Sequence, residues 1–194
     1  MHRKVCFMEF QNTPLSGLLI AKPKRFIDAR GYFMETYNQE EFKPHIGDVT
    51  FIQDNESEST KGVIRGLHLQ TGKDSQAKLV RVVEGAVFDV VVDLRPNSET
   101  FGRWFGLELS HENGLNLFIP RGFAHGFMVI SSHARFVYKV DNYYAPQSEV
   151  TVAFDDPELS IEWPRLDSQR ILSVKDIEKA ISLKKFRELY CGIQ

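Results

Sequence analysis

Cysteine is scarce in this sequence: its 194 residues include only Cys6 and Cys191, which lie near opposite ends. Two distant cysteines without a CxxC pair argue against a disulfide framework and a zinc ribbon, and a reducing compartment is the simplest assignment. No run of about 18 apolar residues occurs, and the start MHRKVCFMEFQNTP lacks the apolar stretch of a signal peptide. We therefore expect a soluble, cytoplasmic protein without a membrane partner.

Net charge is also nearly absent, at a formal value of -2. Bulk charge therefore gives no attraction to nucleic acid, and any phosphate recognition must come from local Arg and Lys side chains. The length and the 42% hydrophobic content fit one domain that encloses a ligand-sized core. With no internal repeat or low-complexity tract, we expect a single domain over residues 1–194.

Short apolar strands separated by turn residues dominate the middle of the chain. From Val63 to Val140, runs of Val, Ile, Leu and Phe are broken by Gly, Asn or Pro about every ten residues. This spacing predicts an all-β sandwich or barrel with a β core over about residues 17–165. The first thirty residues are interpreted as an arm that pairs with a neighbouring subunit. The clearest predicted strands are residues 78–83, 87–94, 104–109, 115–119, 127–130 and 134–140.

The segment that follows the β core has helical character. Ile177, Ile181, Leu183 and Phe186 recur at roughly helical spacing, which predicts a C-terminal helix over about residues 173–190.

Two histidine-containing segments partly match the metal-binding pattern of cupin barrels, in which three His and one carboxylate bind one ion. His68 follows Gly62 as in the first cupin motif, but Gln70 stands where the second His is expected. Two histidines with a loop carboxylate such as Asp74 would bind a divalent metal weakly, so no metal is predicted. The second motif is matched by Gly114, Pro120, Gly122 and His125.

The other histidines are open to ordinary interpretations. A buried His125 bonded to a carboxylate such as Asp89 is about as well supported as a ligand role. Surface positions are expected for His2, His45, His111 and His133.

Seven segments occur in an order that identifies a family. They resemble the dTDP-4-dehydrorhamnose 3,5-epimerase family over about residues 17–176. The resemblance implies a cupin-type jelly-roll barrel, a homodimer, no metal, no organic cofactor and a dTDP-4-keto-6-deoxyhexose substrate. Leu69 and Ala77 depart from the family pattern beside the expected site and put the pocket shape in question. The segments are DARGYF, FIQDNES, GVIRGLHLQ, QAKLVRVVEGAVFDVVVDLR, FIPRGFAHGF, YKVDNYYAP and LSVKD.

The resemblance implies a base and an acid on opposite faces of the sugar. C3 and C5 both flank the C4 ketone, so removing either proton gives an enolate that is reprotonated from the other face. His68 would be the base and Asp176 its orienting carboxylate. Tyr138 would be the acid, and Lys78 would stabilise the enolate oxygen. From the residues alone, three ordinary roles stay open: a helix cap with Ser173 for Asp176, a strand-end lysine for Lys78 and a core tyrosine for Tyr138.

The resemblance also implies a binding set for the nucleotide and sugar. Tyr144 matches the residue that stacks on thymine, with Tyr143 as the alternative, and two arginines suit phosphate. Strand alternation puts Arg65 and His68 on opposite faces, so a bulge near Gly66 is predicted to bring both to the pocket. The expected substrate-binding residues are Arg30, Glu35, Gln53, Asp54, Asn55, Arg65, His125, Tyr144, Glu149 and Lys175.

The function implied is the 3,5-epimerase of dTDP-L-rhamnose synthesis, which supplies cell-surface polysaccharide. The alternatives are an epimerase that acts at C3 or C5 alone, a metal-dependent cupin, and a non-catalytic sugar-nucleotide-binding module.

Overall fold

A computed structural model of the chain describes residues 7–192, so the predictions for His2 and Cys6 lie outside the described residues. The strands are β1 (Met8–Asn12), β2 (Leu19–Pro23), β3 (Phe26–Asp28), β4 (Gly31–Phe33), β5 (Gln53–Thr60), β6 (Ile64–Gln70), β7 (Lys78–Glu84), β8 (Ala86–Asp93), β9 (Trp104–Ser110), β10 (Asn116–Ile119), β11 (Phe123–Val129), β12 (His133–Val140), β13 (Glu149–Val152) and β14 (Ala180–Ile181). The helices are α1 (Gln39–Ile46), α2 (Val174–Glu178) and α3 (Leu183–Tyr190).

Two six-stranded sheets face each other. The first sheet has the order β1-β2-β10-β7-β12-β5, and the second has the order β14-β13-β6-β11-β8-β9. Within them, only the β13–β14 pair among the described residues is parallel. β3 and β4 form a separate hairpin. This is the all-β cupin-type jelly roll that the sequence predicts, and the fold-class prediction is confirmed.

One apolar cluster lies between the two sheets, and each sheet has a second cluster on its outer face. The clusters are separate because alternate residues of a strand point to opposite faces. Val80 and Leu117 of the first sheet pack between the sheets against Val91 of the second. Phe42 of α1 packs on the outer face of the first sheet, and Phe186 of α3 packs on the outer face of the second. These outer clusters hold α1 and α3 on the outside of the sheets. The two helices therefore do not fill the inner space, and a cavity forms at one end of it.

The predicted strands agree with the observed ones except in β11. Five of the six begin and end within one residue of the prediction, whereas β11 starts at Phe123 instead of residue 127. The reason is that β11 is buried at every position, so the alternation that indicates a strand is missing.

The structure adds detail at both chain ends. Residues 8–23 pair within their own chain, because β1 pairs with β2 and β2 pairs with β10, and pairing of the first thirty residues with a neighbouring subunit stays a prediction. The C-terminal segment is not one helix, because β14 interrupts it by pairing with β13, and the Ile181 carbonyl accepts a hydrogen bond from the Ala153 N–H. Ser182 then caps α3 by accepting a hydrogen bond from the Lys185 N–H. No helix of the described chain is long and apolar enough to cross a membrane.

A bulge in β6 brings two charged side chains to one face. His125 pairs with His68 and Phe127 pairs with Arg65. Between these two pairs β6 has two residues and β11 has one, so β6 contains one extra residue. Gly66 lies in this bulge with φ +120°, and a Cβ there would lie 2.5 Å from the Gly126 Cα atom. Arg65 and His68 both line the inner cavity, which confirms the bulge predicted near Gly66.

We expect Gly66→Ala to lower the free energy of unfolding by about 2–5 kcal/mol, from backbone strain together with the backbone clash. Gly31→Ala is the matched control, since Gly31 has φ +125° but a Cβ added there would meet no atom within 4 Å. Gly31→Ala therefore introduces backbone strain without a clash, and it should lower the free energy of unfolding by about 1–2 kcal/mol. Urea unfolding measures both variants, and equal losses would contradict the close approach of β6 and β11.

Candidate active site

The inner space between the sheets opens into a cavity of about 460 Å³ at one end. Its wall is divided between the two sheets and the segment that precedes and begins α2. Polar side chains from all three parts face into it, and the residues that the two sheets contribute form its floor. The polar lining residues are Ser57, Arg65, His68, Lys78, His125, Tyr138, Ser173, Lys175 and Asp176, and the apolar ones are Val63, Ile64, Phe127, Phe136, Ile171 and Leu172.

His68 and Asp176 form a dyad at this wall. His68 Nε2 lies 2.5 Å from Asp176 Oδ1. The His68 side chain is 28% exposed and the Asp176 side chain is 4% exposed, so the imidazole faces the cavity and the carboxylate lies behind it. A carboxylate in this place fixes the imidazole tautomer and stabilises its protonated form.

Asp176 lies in the helix-capping pattern and also bonds His68. Ser173 Oγ caps α2 by accepting a hydrogen bond from the Asp176 N–H at 3.1 Å, while the Asp176 carboxylate bonds His68. Burial raises the pKa of Asp176, but hydrogen bonding to His68 and Ser173 lowers it more, so the net pKa lies below the ordinary value. Asp176 is therefore an anion at neutral pH.

A second histidine pairs with a carboxylate on the cavity floor. His125 Nε2 lies 2.9 Å from Asp89 Oδ2, and both residues are buried, as the sequence interpretation of a carboxylate-bonded His125 expects. Burial raises the pKa of Asp89, and its interactions with His125 and Lys78 offset part of that rise.

Lys78 of β7 lines the cavity close to both histidine pairs. Its Nζ atom lies 3.5 Å from the His68 carbonyl oxygen. Burial lowers the pKa of Lys78 to about 8, against the opposing influence of Asp89 and Glu149. An ammonium held in this way can stabilise an oxyanion that forms beside it.

Tyr138 faces His68 from the other sheet. It lies on β12 of the first sheet, whereas His68 lies on β6 of the second, and both line the cavity. Burial raises the pKa of Tyr138, and Arg65 offsets part of the rise. The phenol therefore keeps its proton at neutral pH and can donate it, although Tyr138 also packs beside the core residue Phe136.

A short polar network extends from Lys175, which lines the cavity. The Tyr144 hydroxyl donates to Glu149 Oε2 at 2.7 Å, and Lys175 Nζ donates to the same oxygen. Burial raises the pKa of Glu149, but donation from Lys175 and Tyr144 outweighs it and the net pKa is lowered. Of the two neighbouring tyrosines, Tyr144 is the one tied to the cavity rim, while Tyr143 is 67% exposed.

Strand β5 separates its polar residues between two faces. Ser57, Asn55 and Gln53 pair directly with Phe136, Tyr138 and Val140, so they share the inner face. Ser57 lines the cavity and was missed from the sequence, although the alternation of QDNESEST carries the signal. Strand alternation places Asp54 on the outer face, where it bonds Lys139 Nζ at 2.8 Å and does not line this cavity. Its role as a substrate-binding residue stays a prediction.

Arg30 and Glu35 are placed away from the cavity that the described residues form. Arg30 lies in the β3–β4 hairpin and pairs with Asp28, and Glu35 accepts a hydrogen bond from Asn38. Neither residue lines the cavity of its own chain, and their role as substrate-binding residues stays a prediction.

The two departures from the family pattern lie outside the cavity. Leu69 is buried in the outer cluster of the second sheet, and Ala77 is buried in the cluster under α1. Neither side chain lines the cavity, because both point to outer faces.

The atoms that a metal would need have other partners. Asp74 accepts from Ser148, and the Gln70 amide bonds backbone groups. Within residues 7–192, no group of three or more His, Cys, Asp and Glu side chains is arranged to hold a metal ion. The absence of a metal requirement stays a prediction.

Comparison with known proteins gives one consistent family. Residues 12–185 match the family described as dTDP-4-dehydrorhamnose 3,5-epimerase. The Salmonella typhimurium enzyme of that name is 53% identical over 153 residues, which are 78% of this chain and 84% of the relative.

Two solved structures show the same fold with sugar nucleotides bound. A 3,5-epimerase from Legionella pneumophila in complex with dTDP-4-keto-L-rhamnose is 46% identical, with a TM-score of 0.87 over 91% of this chain and 93% of that one. A 3'-monoepimerase from Streptomyces bikiniensis in complex with dTDP-quinovose is 33% identical, with a TM-score of 0.86 over 92% and 90%.

The pKa of Lys78 predicts a pH-dependent stability. Folded Lys78 has a pKa of about 8 and the ordinary value is 10.5, so between these values the unfolded chain binds more protons and stability rises with pH. Lys78→Met should show a smaller rise in unfolding free energy over this window, measured by urea unfolding. The exposed control Lys61→Met should keep the original slope, and equal slopes for the two variants would contradict a lowered pKa.

Proposed function

Because the chain belongs to the dTDP-4-dehydrorhamnose 3,5-epimerase family, we propose that its cavity inverts C3 and C5 of dTDP-4-keto-6-deoxy-D-glucose. The product is dTDP-4-keto-L-rhamnose. The family resemblance inferred from the seven sequence segments is confirmed by this membership.

The observation that carries the proposal is the position of a base and an acid on opposite walls of one cavity. His68, oriented by Asp176, removes a proton next to the ketone from one face, and Tyr138 returns a proton from the other face. Lys78 stabilises the negative charge that forms on the C4 oxygen between them. His125, which is hydrogen-bonded to Asp89, also lies on the floor and binds the sugar.

The nucleotide occupies the mouth. Arg65 suits a bidentate contact to phosphate, and Lys175 adds a second positive charge beside it. Tyr144 offers an exposed ring for stacking on thymine, oriented through Glu149. Gln53 and Asn55 extend the inner face of β5 toward the nucleoside.

We also propose that the protein acts as a homodimer in which each hairpin reaches the other copy. Ile27 is 81% exposed, Phe33 is 65% exposed and Tyr32 is 55% exposed, so the β3–β4 hairpin presents an exposed apolar surface. Arg30 and Glu35 flank this surface. In a twofold dimer they would reach the cavity mouth of the second copy, where the family resemblance expects them.

The single-domain boundaries, the cytoplasmic location and the place in dTDP-L-rhamnose synthesis stay predictions.

The first test is proton exchange in deuterium oxide. Chelator-stripped protein and dTDP-4-keto-6-deoxy-D-glucose are followed by NMR of the ring protons. We expect deuterium at both C3 and C5, and a fall of about 10²–10⁴-fold in His68→Ala because the base is lost. Tyr138→Phe should still exchange protons through His68 but accumulate less inverted product.

Each other outcome selects an alternative. Label at one carbon alone would indicate a single-site epimerase, a reaction class represented among the structural relatives. Activity that returns only with added metal would support a metal-dependent cupin. Binding without any exchange would support a non-catalytic module.

The second test asks whether Arg30 acts across the dimer. Arg30→Ala and His68→Ala should each be impaired, because each removes one part of every site. When the two variants are co-expressed, random pairing should restore about a quarter of the wild-type activity, since half the dimers then contain one intact site. No recovery in the co-purified heterodimer would contradict a site shared between copies.

A further inference from the structure

Gln70 is a buried polar residue beside the catalytic dyad that none of the proposed chemical steps uses. It is 4% exposed and lies on β6 two residues after His68, so the two side chains leave the strand on the same face. A buried amide needs partners for both its oxygen and its nitrogen. The partners of Gln70 therefore indicate what the residue does.

All three hydrogen bonds of the Gln70 side chain go to backbone groups. Nε2 donates to the Asp74 carbonyl at 2.6 Å and to the Tyr143 carbonyl at 3.1 Å. Oε1 accepts from the Ala145 N–H at 2.8 Å. The last two contacts are to the residues immediately before and after Tyr144.

Tyr144 is fixed at its other end through the strand next to β6. Its hydroxyl donates to Glu149 Oε2, and Glu149 pairs with Gln70 in the register of β13 and β6. The backbone of Tyr144 is thus held by the Gln70 side chain, and its ring tip is held by a residue paired with the Gln70 backbone. An exposed ring fixed at both ends loses little freedom when a flat ligand stacks on it.

We propose that Gln70 is a positioning residue that orients Tyr144 for the nucleotide base. Gln70 itself does not touch the substrate and acts only through residues 143–145. This inference rests on the proposed function, in which Tyr144 stacks on thymine. Binding of the nucleotide should depend on Gln70, while proton abstraction by His68 should not.

The test separates nucleotide binding from turnover. Gln70→Glu keeps the shape and the acceptor for Ala145 but loses both donations, and Gln70→Met loses all three hydrogen bonds. We expect the dTDP dissociation constant and the substrate KM to rise about 10-fold to 100-fold in Gln70→Met, as for loss of a stacked base, and kcat to stay within about threefold. Gln70→Glu should also raise the dTDP dissociation constant and the substrate KM. Calorimetry with dTDP and steady-state kinetics give these values.

Two comparisons make the assignment specific. Tyr144→Ala should weaken dTDP binding by itself, and Gln70→Met should add little in the double variant, because both act through one ring. Gln76→Met is the matched control, since Gln76 Nε2 donates to the Asn142 carbonyl two residues before Tyr144. It should change dTDP binding by less than about threefold.

The outcomes are distinguishable. If Tyr144→Ala leaves dTDP affinity unchanged, the stacking role within the proposed function is wrong and the inference falls with it. If Tyr144→Ala weakens binding but neither Gln70 variant does, only the inference is overturned. It is also overturned if the Gln70 variants lower kcat with unchanged dTDP affinity, or if Gln76→Met has an equal effect. Circular dichroism and unfolding experiments check that each variant folds. If Gln70→Met does not fold, the dTDP affinity of Gln70→Glu decides between these outcomes.

Discussion

The close approach of β6 and β11 at two glycines is the constraint on which the site depends. A Cβ at Gly66 would lie 2.7 Å from the His125 carbonyl oxygen, and one at Gly126 would lie 2.6 Å from the Arg65 carbonyl oxygen. Only backbone without side chains fits there, so β6 can hold an extra residue and still remain in the sheet. The consequence is that Arg65 and His68 share the cavity while Leu67 enters the outer core.

Charge in the cavity is arranged as pairs, because an isolated buried charge would be costly. Asp176 and Asp89 each bond one histidine, and Glu149 bonds Lys175. Asp176 lies behind its histidine partner, so the imidazole of His68 faces the cavity. Lys78 lacks a direct carboxylate bond among the described residues and has the lowered pKa that this position implies.

The site joins a rigid floor to a mouth built from loops. The floor residues lie on strands of both sheets, whose relative positions are fixed by the packing between them. The mouth depends on residues 143–149, on the beginning of α2 and, in the proposed dimer, on a hairpin from the second copy. Its geometry is therefore held by side chains such as Gln70 and Glu149 that bond across loops. This division suits an enzyme that must place a small reacting ring accurately while it holds a larger nucleotide.

Strand alternation and motif spacing act over a few residues, so the chain alone was enough to predict the fold class, the family and the residues on the cavity floor. The family resemblance implied His68, Lys78 and Tyr138, and strand alternation indicated the need for a bulge near Gly66. The packed sheets were needed to show that Asp54, Leu69 and Ala77 point away from the cavity and that Arg30 lies outside it. They were also needed to show that the Asp176 carboxylate bonds His68 while Ser173 caps α2, and that Gln70 bonds the backbone on both sides of Tyr144. The physical reason is that neighbours in a motif alternate between faces of a sheet, whereas contacts between distant segments form only when the two sheets pack.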